Sequence, residues 1–136
     1  MLRSALVLAL PVVLLWGCAV EQFAVPSPGD LPSARAACTA QYPRRVGNYL
    51  PHALCVNAAV ERYAAPTARH PDLIRLQSDA RARLSEKIDR RAISSAAGVQ
   101  RMARVDALIA EAERDRAAGR DGAAARKTAA IDGILR

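Results

Sequence analysis

Aromatic side chains are scarce in this chain: one Trp, one Phe and three Tyr, 4% of 136 residues. Its core must be assembled from Leu, Ile, Val and Ala. Such side chains suit closely packed helices, but they bury little area each and leave a small domain marginal without a covalent staple. Motifs of chemistry are missing too. There is no phosphate-cradling glycine loop, no G-x-S-x-G and no C-x-x-C-H haem attachment. Ser85-Glu86-Lys87 is one residue short of the S-x-x-K spacing. The two histidines, His52 and His70, have no recognisable nucleophile or carboxylate partner. No segment alternates with period two, and no internal repeat occurs. These gaps point to a non-enzymatic protein without a cofactor. The uncharged run from Ser4 to Gly17, ahead of Cys18, is about 14 residues. A membrane-spanning helix needs roughly 20.

That run, preceded by Arg3, has the length and flank of a secretory signal core. The tetrapeptide after it, Leu15-Trp16-Gly17-Cys18, resembles the lipobox of bacterial lipoproteins. The resemblance implies a thioether-linked diacylglycerol on Cys18, which becomes the first residue of the mature protein. Two or three acyl chains, at about 0.8 kcal/mol per buried methylene, make a firm anchor. Trp16 is bulkier than the residue usual there. Cleavage after Ala19, or a retained anchor, remains open on the same residues. By analogy with proteobacterial lipoproteins, Ala19 in place of Asp favours the outer membrane, facing the periplasm, over inner-membrane retention.

The expected organisation is a signal peptide over 1–17, a lipidated cysteine and Pro-rich tether over 18–32, and a helical domain over 33–136. Pro26, Pro28, Gly29 and Pro32 break any periodicity in the tether. Cys38 and Cys55 are the only other cysteines. After export an isolated pair reads as a disulfide. A loop of this size contributes roughly 3 kcal/mol by the chain-entropy account. The competing reading joins both cysteines to His52 in a zinc site, which still lacks a further ligand.

The periodicity predicts an all-α domain. A short helix runs from Ser33, its cap, to Gln41, and a second from about Pro51 to Ala65, pinned to the first by the disulfide. Ala53, Val56, Val60 and Tyr63 form the apolar face of the second. A third helix starts at Pro71, with Asp72 complementing its positive end. Leu73, Leu76, Ala80, Leu84 and Ile88 make its stripe, and Asp79–Arg83 and Glu86–Arg90 are favourable i,i+4 pairs. Ser94 or Ser95 caps a fourth helix running to about Ala118. Its stripe is Val99, Met102, Val105, Ile109 and Ala112, and Gly119 is its terminator. The short link Arg90–Ile93 folds these two helices into an antiparallel hairpin. A last helix, roughly Gly122 to Leu135, either docks or frays.

Cys38, Cys55 with Asn57 soon after, Pro71-Asp72-Leu73 and Ile93-Ser94 resemble the pattern of small helical proteobacterial lipoproteins and secreted proteins of unassigned function. The likeness covers about residues 38 to 115. It implies a helical fold in the cell envelope and no activity. Where that pattern often has an acid three residues after the serine, this chain has Ala97, so the capping box is absent.

Charge is the remaining lead, at a formal +7 and an isoelectric point near 10.2. Lys87, Arg90 and Arg91 cluster at the hairpin link, with Arg101 and Arg104 in the next helix. A shared end would suit anionic lipid headgroups, lipopolysaccharide phosphates or an acidic protein surface. The export signal disfavours nucleic acid. The expected function is therefore a non-enzymatic, lipid-anchored envelope protein that contacts envelope components. The alternative is a helical binding module or adaptor free in the periplasm.

Overall fold

The computed structural model describes residues 29–136. The expected signal, Cys18 and the expected tether as far as residue 28 lie outside them. Five helices succeed one another: α1 Leu31–Gln41, α2 Tyr49–Tyr63, α3 Pro71–Asp89, α4 Ser95–Ala117 and α5 Asp121–Leu135. A single 3-10 turn, Ala65–Thr67, joins α2 to α3, and no strand occurs among the described residues. Each helix packs on the next, and α5 also reaches α3, whereas α2 and α4 stay apart.

The expected α3–α4 hairpin forms, and α5 docks on it. Leu73, Ala80 and Leu84 of α3 meet Val105, Ile109 and Ala112 of α4, and Ala124, Ile131 and Leu135 of α5 close the cluster. Leu73, Val105 and Ile131 are fully buried. Each contributes about 1.5–3 kcal/mol by leaving water. Gly98 lies against Ile88, where a Cβ would come within 2.5 Å of Ile88 Cδ1. A glycine at that point lets α4 close on α3. A smaller cluster, Cys38, Val56 and Val60, joins α1 to α2. The Cys38–Cys55 disulfide sits beside it, with the two Cα atoms 5.7 Å apart.

Several boundaries and faces differ from the periodicity. Helix α1 opens at Leu31, because Asp30 Oδ1 rather than the Ser33 hydroxyl caps it, accepting from Ser33 N at 2.8 Å. Helix α2 opens at Tyr49, two residues before Pro51, and ends at Tyr63 instead of Ala65. Its start has no capping side chain of its own. The carboxylate of Asp89, from the last turn of α3, accepts from Gly47 N at 2.7 Å, Tyr49 N at 3.2 Å and Leu50 N at 2.8 Å. Helix starts leave such donors unmet, and their partial positive charge attracts an acid. Pro51 comes next and has no N–H to satisfy. Ser94 caps α4, its hydroxyl accepting from Ala97 N at 3.1 Å.

Val99 is 59% exposed, although its spacing placed it on the buried stripe. At 3.6 residues per turn it stands about 120° around the helix from Val105. It faces the side of α4 that α2 does not reach.

Two helix ends share one geometry. At the end of α4, Arg120 N donates to Asp115 O at 2.8 Å and Gly119 N to Arg116 O at 3.1 Å. At the end of α3, Ala92 N donates to Lys87 O at 2.8 Å and Arg91 N to Ile88 O at 2.9 Å. Both are Schellman caps, which require a left-handed residue. Gly119 takes φ 70° in one, and Arg91 takes φ 58° in the other.

Candidate functional site

Because α2 and α4 do not touch, a cleft of about 850 Å³ remains between them, floored by α3. Gln77, Arg81, Leu84, Ser85 and Ile88 line the floor, at spacings that place them on one side of α3. One wall carries Arg35 and Thr39 from α1, Arg44 from the link, and His52 and Val56 from α2. The other wall is α4, with Ala96, Gly98, Val99 and Met102. The two walls differ in kind: one is cationic, and the other sets Ala96, Gly98, Val99 and Met102 among Ser95, Gln100 and the Asp106 carboxylate.

Arg81 is the best-placed group. It is half-buried, and its Nη1 donates to Asn57 Oδ1 at 2.5 Å. Asn57 is itself oriented, donating from Nδ2 to Ser78 O at 2.7 Å. The partner is neutral, so the guanidinium charge is steered without being cancelled. Burial, then the nearby Arg35, pushes Arg81 below its usual value, and Asp106 works in the opposite sense. Asp106 is also the acceptor for Gln77 Nε2 at 2.8 Å. His52 lies 3.3 Å from the Thr39 hydroxyl. Burial lowers its pKa, and Arg44 and Arg81 lower it further. The part played by Arg44 and Arg81, second to burial, reflects a positive local potential around the ring.

The five basic residues singled out from the sequence lie outside the cleft lining, and most of them have structural work. Lys87 Nζ donates to Leu135 O and Arg136 O, both at 2.6 Å, and Arg101 Nη1 to Ile134 O at 3.5 Å. Cations there complement the negative end of α5. Arg90 pairs with Glu86 at 2.6 Å on an exposed surface. Arg91 is exposed at its turn. Arg101 and Arg104 border a second cavity of about 390 Å³ with Arg136. The disulfide takes both thiolates out of the competing zinc set, and His52 faces Thr39 instead.

Sequence reading overlooked Arg35, Arg44 and Arg81, which were submerged in a generally arginine-rich chain. A usable signal was present in Asn57, an amide set between the apolar Val56 and Ala59-Val60 on α2. Asp115 was overlooked as well. Its side chain is only 6% exposed and accepts from Arg120 Nη2 at 2.6 Å and from Lys127 Nζ. That joins the end of α4 to the α5 it precedes. His70 Nε2 is the single buried side-chain polar atom without a hydrogen-bond partner among the described residues.

No family model, no curated protein and no solved structure matches this chain.

Proposed function

We propose that the protein is a non-enzymatic component of the bacterial envelope, anchored through lipid on Cys18, whose helical domain binds an envelope component. The observation that carries this is the Cys38–Cys55 disulfide. Such bonds persist in oxidising compartments beyond the cytoplasm and are rare within it. The leader-like run ending in Leu15-Trp16-Gly17-Cys18 supplies a route there and a site for acylation. No helix among the described residues is long and apolar enough to cross a membrane.

Globomycin blocks lipoprotein signal cleavage, so treated cells should accumulate the precursor. Mass spectrometry of the untreated protein should find acyl groups on Cys18. A mature product that fractionates freely and carries no lipid removes the anchor. That outcome favours the second reading, a periplasmic binding module, for which the cleft is the supporting observation.

A further inference from the structure

We infer that the cleft between α2 and α4 is a binding site for an amphipathic anion, a phosphate or carboxylate head on an apolar chain. The inference stands on the cleft's own residues and is independent of the anchor at Cys18. Three guanidiniums, Arg35, Arg44 and Arg81, face the cleft against one carboxylate, Asp106. A partly desolvated cation beside other cations is costly unless an anion joins it. Arg81 nonetheless has a neutral partner, and Asn57 holds it in one orientation. The fork is therefore already set for a planar or tetrahedral oxyanion. The Thr39 hydroxyl and His52 ring lie beside it as further polar contacts.

A simple inorganic anion would leave the opposite wall unused. Val99 is 59% exposed there, the most exposed of three large apolar side chains open to solvent among the described residues, with Val46 and Leu54. Met102, on the same wall, adds an unbranched side chain that adapts to an irregular guest. About 850 Å³ is within the usual range of small-ligand sites, which pair apolar lining with a few placed polar groups. Arg81 on the floor, with Arg35 and Arg44 on the wall beside it, takes the head, and Val99 and Met102 of α4 take the tail.

Calorimetric titration of the purified full chain, disulfide intact, tests this with four probes: octyl phosphate, octanoate, inorganic phosphate and octyl glucoside. The two alkyl anions should bind saturably at one site, and the tighter of them names the head group. Inorganic phosphate and octyl glucoside should each bind at least about tenfold more weakly, since each lacks one half of the recognition. Arg44→Gln and Arg81→Gln should each weaken alkyl-anion binding by about tenfold. Val99→Ser should weaken the alkyl anions a few-fold without altering inorganic phosphate. Arg44 and Val99 are exposed, so their variants retain the fold, as circular dichroism will verify. Equal binding of inorganic phosphate, equal binding of octyl glucoside, or indifference to Arg44→Gln and Arg81→Gln each overturns the proposal.

Discussion

Arg91 and Gly119 occupy equivalent positions after their helices, yet the chain spends a side chain on one and none on the other. At φ 70° Gly119 is unstrained, whereas at φ 58° Arg91 carries the left-handed penalty of any L residue. Gly119→Ala should lower stability by about 1 kcal/mol, and Arg91→Gly should not lower it at all. Urea unfolding of both variants checks the pair, and a marked loss for Arg91→Gly would refute the strain argument. Gly119 was readable as a terminator from its place after the last apolar turn. Nothing marked Arg91, because its conformation follows from the Lys87 and Ile88 carbonyls behind it. Asp89 was equally silent. An acid at a helix end looks solvated until the fold brings Gly47 and Leu50, about 40 residues away, onto it.

At the scale of helices, α1 depends most on covalent help. It packs on α2 alone and buries only Ala34 and Cys38. So few buried groups give little against the cost of ordering the chain. Replacing both Cys38 and Cys55 by Ala should cost about 3 kcal/mol in urea unfolding. Hydrogen exchange should show protection lost first in α1 while α3 and α4 keep theirs; uniform loss would show that the staple serves the whole domain. The α3 and α4 stripes were legible because a 3.6-residue period survives in any alphabet of apolar side chains. Val99 shows the limit of that reading. A run of three- and four-residue steps drifts around the helix, and only the neighbours decide which stretch is covered. For the candidate site, the sequence showed basic residues near the hairpin link but not the cleft. The cleft exists because two non-consecutive helices fail to meet, and spacing within one helix carries no record of that.

The whole molecule responds to pH through groups that join its elements. Arg116 holds the Asp72 carboxyl below its ordinary range, through bonds of 2.9 and 2.7 Å between the end of α4 and the start of α3. Lys127, then Arg120, does the same for Asp115. A carboxyl whose folded pKa is depressed gives stability above its unfolded value, ordinarily 3.8, and that stability is lost as pH falls below it. His52 is depressed from 6.5, so protonation below that value also opposes folding. Melting temperature should thus decline gently below pH 6.5 and steeply below 3.8, with a shallower acid limb in Asp115→Asn. A flat profile from pH 7 to 3 would exclude these links. The final turn of α3 ties the molecule together in another way. Lys87 engages the tail of α5, and Asp89, two positions on, engages the head of α2. One extra residue inserted between them would swing one clasp about 100° away from the other. The two outer layers share a single hinge pin, and its phase, more than the length of any loop, limits how the architecture can be re-spaced.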